Sequence, residues 1–485
     1  MNITRTAAAA AALMMTAVAA SAQNPIIRDN FSADPSAHVF DGRVYVYPSH
    51  DIPAPYDYAR KDWFCMADYH VYSSDNLVDW VDHGVIVDQK SVPWVNSTSY
   101  SMWAPDCNYK NGKYYFYFPA GQKPKPGQRF AGNGIGVAVS DTPYGPFVCQ
   151  EEPIKGIGGI DPCIFIDDDG TPYLTWSGRG LQIARLKDNM LELDSEPVAV
   201  SEVPDGFKEG PYLFKRNGIY YYTFPWVEKD RECLAYCMSD KPMGPYVFKG
   251  KIMEQSETEC WTNHHSVVEF KGQWYLFYHH NDYSPYFDKN RSVCVDEIHF
   301  NPDGTIVPVV PTFRGVGITP AHSNIQIDRY SDKDEAKVDI EFLRDENTFE
   351  GWKTVFHNTA SEYKEPIWIR YDRVDFGKGW ENATLRCHSL AGGKIEVRAD
   401  AIDGPLVAEF KVGGVSSWNE ITVKASSKPE GVHNLFVLMT EGNYIDVDWV
   451  SFKQYEKDTV GTDFCSADIR LLRGRGSGSC EGPFR

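Results

Sequence analysis

Gly159-Ile160-Asp161-Pro162-Cys163-Ile164-Phe165-Ile166-Asp167-Asp168-Asp169-Gly170-Thr171-Pro172-Tyr173-Leu174-Thr175-Trp176 decides how the chain is read. It places an acid before a short apolar strand, turns on an Asp/Gly run and returns on a second strand ending in an aromatic. The same pattern recurs four more times. Asp34-Pro35 leads into Val39-Phe40-Asp41-Gly42, and Asp106 leads into Tyr109-Lys110-Asn111-Gly112. Glu209-Gly210-Pro211 leads into Tyr212 to Gly218, and His264-His265 leads into Val267 to Gly272. The turn glycines 42, 112, 170, 218 and 272 are 70, 58, 48 and 54 residues apart, which are blade-sized periods. Between the copies lie further strand pairs, such as Tyr69 to Ser74 with Gly84 to Val87. A four-stranded sheet cannot bury both faces alone, so stacking such sheets around an axis is expected. The fold class is all-β: a five-bladed β-propeller over residues 23–315.

Outside that region the pattern changes. Residues 316–330, following Asn301-Pro302-Asp303-Gly304, read as a linker. From 331 to 456, alternating strands such as Ala383 to His388 and Val432 to Met439 are separated by Gly392-Gly393 and Asp403-Gly404. This is the signature of a β-sandwich of jelly-roll type. Residues 457–485 are rich in Gly, Ser and Arg and are expected to be disordered. Residues 1–22 carry Arg5, an apolar run from Ala7 to Ala20 and Ala20-Ser21-Ala22 before Gln23. This reads as a secretory signal peptide, so a secreted or periplasmic protein is expected. The run is too short for a spanning helix, and no membrane insertion is expected.

The net charge of −19 disfavours nucleic acid and anionic membranes as partners and leaves neutral polymers open. Eleven cysteines without a C-x-x-C pair argue against a zinc cage; most are expected as small buried hydrophobes.

In a propeller the entrance of each inner strand faces one central channel. The repeats place Asp34, Asp106, Asp161, Glu209 and His264 at or near that entrance. Hydrolysis of an acetal needs an acid for the leaving oxygen and a base for water, and a carboxylate cluster supplies both. Crowding also keeps one of the carboxyls protonated. Asp41 and Asp167 to Asp169 sit at the turns and read as turn chemistry. Trp103 and Trp176 are candidate sugar-stacking faces, with a plain core role as the alternative.

The propeller region resembles glycoside hydrolase family 43 through Asp34-Pro35, Trp103-Ala104-Pro105, Gly159-Ile160-Asp161-Pro162, Glu209-Gly210-Pro211-Tyr212 and Thr262-Asn263-His264-His265-Ser266. The resemblance implies Asp34 as general base, Asp161 as the residue that orients and tunes the proton donor, and Glu209 as general acid. It implies inversion of configuration, and an arginine at the sugar pocket at Arg291. It also implies that His264 helps to hold a structural calcium ion through water; a core histidine is the alternative. No cofactor is required for the chemistry.

The C-terminal region resembles a family 6 carbohydrate-binding module through Val374-Asp375-Phe376-Gly377, Gly392-Gly393-Lys394 and Asp446-Val447-Asp448-Trp449. Trp418 and Asp446 are its candidate sugar contacts, although Asp446 replaces the usual Asn. Together these resemblances imply a hydrolase of O-glycosyl bonds. The expected activity is exo release of α-L-arabinofuranosyl or β-D-xylosyl units from arabinoxylan, arabinan or a related hemicellulose. β-Xylosidase or galactan-directed action is the alternative. A non-catalytic sugar-binding propeller is the competing class, but it would not need three acids in one repeat register.

Overall fold

The computed structural model describes residues 23–453, apart from 57, 59, 129–130, 256–259, 282–283, 285–286, 343–351 and 360–364. The expected signal peptide and C-terminal tail lie outside the described residues, among which there is no helix.

Five blades follow one another as predicted. Blade I runs through Ser32–Phe40, Arg43–His50, Asp68–Ser74 and Val81–Asp88 in antiparallel order. Blade II uses Asp106–Lys110, Lys113–Gly121, Asn133–Ser140 and Val148–Cys149, and blade III Ile160–Ile166, Pro172–Gly178, Gly180–Arg185 and Val198–Ala199. Blade IV uses Tyr212–Arg216, Ile219–Glu228, Arg231–Ser239 and Val247–Met253. Blade V has three strands, Ser266–Phe270, Gln273–His280 and Ser292–Glu297.

Residues 24–26, ahead of blade I, complete the ring. Ile26 N–H donates to Val293 O at 2.8 Å, and the Asn24 side chain bridges Val295 and Thr312. The N-terminal segment therefore occupies the free edge of blade V and leaves no open ladder there.

Four of the five inner hairpins turn on two successive residues of positive φ: Asp41-Gly42, Asn111-Gly112, Asn217-Gly218 and Lys271-Gly272. This is the type I′ geometry that matches strand twist. Blade III differs because its Asp run widens the loop, with Asp167 N–H bonding Thr171 O and Gly170 N–H bonding Asp167 O.

Aromatics cement the blades. Tyr47, Phe116, Phe118 and Tyr69 pack between blades I and II, and Tyr222, Phe224 and Tyr246 between III and IV. Each fully buried ring of this size contributes about 1.5–3 kcal/mol of transfer free energy.

The C-terminal unit is two sheets of six strands face to face. In Asn382–Ser389, Ala383, Leu385 and Cys387 point into the core and alternate with half-buried residues. One boundary differs from expectation. Residues 316–330 are not a free linker, because Thr319–Pro320 pairs with Ile367–Asp375 and Ile325–Gln326 pairs with Tyr444–Lys453. Ala321, Ile325 and Ile327 enter the sandwich core, whereas Val316 still belongs to the propeller. The Pro/Gly content concealed these short edge strands, whose apolar residues are too few for a readable period. The strand pair Val338–Phe342 and Trp352–His357 likewise precedes the first sandwich strand read from sequence.

All nine described cysteines are free, and eight of them are buried.

Candidate active site

The acids reach the channel through strained backbone. Asp34 and Asp161 have φ of 51° and 55°, each sits in a local register shift of its inner strand, and each precedes a proline. Left-handed backbone is costly for a residue with a Cβ, and proline disfavours helical geometry before it. The bulge thus re-aims each carboxylate toward the axis. In blade IV the left-handed residue before proline is Gly210, φ 50°, so Glu209 stands one position earlier. A Cβ on Gly210 would lie 2.9 Å from Pro225 and 3.1 Å from His264 Nδ1, so this position has room only for glycine.

Asp34 is the most heavily held group. Its Oδ1 receives Arg291 Nη1–H at 3.0 Å, and its Oδ2 receives the Ser49 hydroxyl. Its backbone N–H donates to His279 Nδ1 at 2.9 Å. His279 Nε2–H in turn donates to the carbonyl of Thr262, which fixes the tautomer, and burial lowers the imidazole pKa to about 3. Burial alone would raise the Asp34 carboxyl, but Arg291, His279, His264 and Ser49 outweigh it and bring it down to about 2.

Asp161 and Glu209 form the opposite environment. Burial and the neighbouring Glu209 charge raise Asp161 well above the carboxylate range, while the Gly210 N–H, 3.0 Å from Asp161 Oδ2, opposes this. Burial and Asp34 push half-buried Glu209 up to about 7. Burial thus favours the protonated form on this side of the centre, whereas Arg291 holds Asp34 on the other side ionised.

Arg291 joins the site but differently from expectation. It is buried, and all five of its N–H donors are spent. Nε and Nη2 grip Asp51 at 3.0 and 2.8 Å, Nη1 reaches Asp34 and Thr262 Oγ1, and Nη2 also faces Asp34 Oδ2. It is a clamp on Asp34, with no donor left for a sugar.

His264 lies in the site, half-buried, with Nδ1 3.8 Å from Asp34 Oδ1. Burial lowers its pKa, so the ring is neutral and able to ligate. Calcium takes six to eight oxygens. Among the described residues no group of three potential ligands includes His264, so the site fits only an ion that keeps water in most of its places. His265 is buried against Thr223 Oγ1 at 2.6 Å, as a structural residue would be.

Trp103 packs half-buried against the core between blades I and II. Its carbonyl accepts the hydroxyl of Tyr69, and its buried Nε1 has no partner among the described residues. Trp176 is buried more deeply. At 2% exposure it is part of the core between blades II and III and offers no face to a sugar. Asp106 is consumed by structure, bonding Ser36, His38, Cys107 N–H and Ile164 N–H.

In the sandwich, Asp446 is buried and bound by Lys353 at 2.7 Å and His388 at 3.3 Å, so it is not presented to a ligand. Trp418 is half-buried beside His388 and Arg386.

Three residues escaped the sequence reading. Asp51 and His279 lie at the ends of second strands, and Glu232 starts a third strand, so none belongs to the repeated entrance. Glu232 is 1% exposed, accepts Asn263 N–H at 2.7 Å and is pushed by burial and Glu209 to about 8. It anchors the segment in which Thr262, φ 62°, meets both Arg291 and His279. The only signal in the sequence is a lone acid or histidine at a strand end, and none of the three recurs in the other blades.

A model of Glycosyl hydrolases family 43 matches residues 22–306, more than half of the chain. The chain belongs to this family. It is a glycoside hydrolase acting on O-glycosyl bonds, and its C-terminal residues 353–454 match Carbohydrate binding module (family 6). Among family 43 relatives, xylosidase/arabinosidase 43A of Humicola insolens is 38% identical over 59% of this chain and 99% of its own. An arabinoxylan arabinofuranohydrolase of Paenibacillus polymyxa is 28% identical over 95% of this chain and 79% of its own. A solved family 43 β-xylosidase/α-arabinofuranosidase from a compost metagenome, complexed with xylotriose in a calcium-free form, is 37% identical. It superposes with a TM-score of 0.53 over 60% of this chain and 98% of its own. Among the described residues no helix is long and apolar enough to cross a membrane.

Proposed function

We propose that this family 43 hydrolase removes single α-L-arabinofuranosyl or β-D-xylosyl units from decorated plant cell-wall polysaccharide, with inversion. What carries the reading is the 3.0 Å contact by which Arg291 keeps Asp34 ionised, opposite a Glu209 that burial and the Asp34 charge push up to about 7. Glu209 donates its proton to the leaving oxygen as the bond from that oxygen to the anomeric carbon breaks. A water forms the new bond from the opposite face and passes its proton to Asp34. Burial and the Asp34 charge keep Glu209 basic enough to carry a proton near neutral pH, and Asp161 orients it. The geometry required is a base-to-acid spacing of about 6.5–9.5 Å, enough for that water.

From sequence, Ser49 to Trp103 reads as one link between blades I and II; the aromatic part of it is instead the loop between the second and third strands of blade I, residues 51–67, and it supports exo action. Its Phe64 ring lies 4.9 Å from the Arg291 guanidinium, with Trp63 packed edge-on against it and Arg60 over Trp63. A wall built over the clamp encloses a chain end or side chain better than it admits a polymer. The names of the relatives above favour arabinose and xylose, with arabinofuranosidase first and β-xylosidase or galactan-directed action second. A panel of 4-nitrophenyl glycosides, followed by product analysis on arabinoxylan, tests the reading. Monosaccharide release is expected; release of internal oligosaccharides alone would overturn it.

Two further parts belong to the proposal. Residues 1–22 act as a leader that sends the protein to the periplasm or beyond, which mass spectrometry of the chain from its native host tests through a start near Gln23. A hydrated calcium ion bound at His264 stiffens the channel and takes no part in any step; a calcium-dependent rise in Tm that His264→Ala abolishes is its readout.

A further inference from the structure

The geometry points to a second, non-catalytic metal site on blade I, formed by His50, Asp68 and His70 for a divalent ion of the zinc class. His50 ends the second strand and Asp68 begins the third; Ser49 pairs with Tyr69, so His50 and Asp68 stand opposite each other. His70 follows two residues after Asp68 and projects from the same face. His50 Nδ1 is 2.7 Å from Asp68 Oδ1, and the two imidazoles meet edge to face with centroids 5.2 Å apart. One ligand atom from each residue lies within 4.8 Å of the others. A four-coordinate ion with bonds of about 2.0–2.2 Å would draw these atoms together by small side-chain rotations.

The surroundings are those of a metal site rather than of a simple ion pair. Asp82 faces His70 Nδ1 with both oxygens at 3.1 Å and so accepts its N–H, which fixes the ring and leaves the lone pair on Nε2. A carboxylate behind a ligating histidine is the usual second partner in such sites. Among the described residues no lysine or arginine forms an ion pair with Asp68 or Asp82; their carboxylates face imidazoles and, at Asp82, the Gly84 N–H. Two nitrogens and one carboxylate suit a borderline ion and leave a coordination place open, whereas calcium would want more oxygens. All four side chains are partly exposed, which gives an ion access.

The site has a structural consequence for the reaction centre. His50 lies between Ser49, which bonds Asp34, and Asp51, which grips Arg291. An ion here would pin the strand end that carries both, stabilising the clamp without touching substrate.

Cobalt(II) is the probe. Added to the chelator-treated full chain, one equivalent is expected to give the intense visible bands of four-coordinate cobalt, displaced by zinc, and zinc is expected to raise Tm. His70→Ala and Asp68→Asn should lose the bands, while His264→Ala should keep them. Asp82→Asn retains all three ligands and should bind about 10-fold or more weakly. Absence of these bands at one equivalent, or bands of equal affinity in His70→Ala, would overturn the site. If His70→Ala does not fold, unchanged affinity in Asp82→Asn would do so.

Discussion

Arg291 Nη1 lies 3.0 Å from Asp34 Oδ1, with both side chains buried. The proximity explains how a carboxyl deep in a propeller remains a base. Asp51 holds the other side of the guanidinium, and burial raises its own carboxyl above the ordinary value despite Arg291. Asp51 thus fixes the guanidinium in place while the Arg291 charge lowers the Asp34 carboxyl.

Arg291→Lys tests this directly. A lysine cannot span Asp34, Asp51 and Thr262 with one planar fork. The acid limb of kcat/KM, set in the native protein by an Asp34 carboxyl near 2, is expected to move upward. The activity loss should be on the order of 10²-fold or more at neutral pH, matching a barrier increase of at least about 2.7 kcal/mol. An unmoved acid limb would separate Arg291 from the protonation state of Asp34.

Glu232 makes a prediction about stability. Its folded pKa is about 8, above the ordinary carboxyl value of 4.5, so the folded state holds a proton that the unfolded state has released. Stability is therefore full below about 4.5 and falls as pH rises toward 8. Glu232→Gln retains an oxygen for Asn263 N–H and has no proton to lose. Urea denaturation between pH 5 and 8 should show a flatter pH dependence in the variant than in the native protein; equal slopes would contradict the assignment.

The architecture was legible because hairpin glycines and entrance acids repeat. Gly42, Gly112, Gly218 and Gly272 need positive φ in the same turn, and Asp34-Pro35 and Asp161-Pro162 mark the same bulge. What has no repeat was not legible. Asp51 stands beside Asp34 through the blade I hairpin, in which Ser32 pairs with His50, but it acts through Arg291 of blade V; His279, 245 residues from Asp34, reaches it only because the ring closes. Trp176 illustrates the converse: its place at the end of a hairpin resembled a site position, but alternation along the strand turned it into the core. Asp446 was misplaced for a similar reason, since the strand bearing Lys353, which neutralises it, was not recognised.

The boundary between the two domains yields a third prediction. A fragment beginning at residue 317 keeps Thr319–Pro320 and Ile325–Gln326 and should fold alone, whereas one beginning at 331 loses buried Ile325 and Ile327. Ile327→Ala within the full chain should cost about 2–5 kcal/mol in the unfolding of this domain. Calorimetry of the two fragments decides the matter; equal cooperative transitions would show that 317–330 adds nothing.

The central claim is that Glu209 supplies the proton and Asp34 activates water, and leaving-group dependence tests it most directly. The measurement is kcat/KM for Glu209→Ala and Asp34→Ala on a 4-nitrophenyl glycoside and on the matching oligosaccharide. Glu209→Ala should retain far more activity on the aryl glycoside, whose leaving group departs without protonation, while Asp34→Ala should lose both substrates alike. Equal losses on the two substrates in Glu209→Ala would contradict the account.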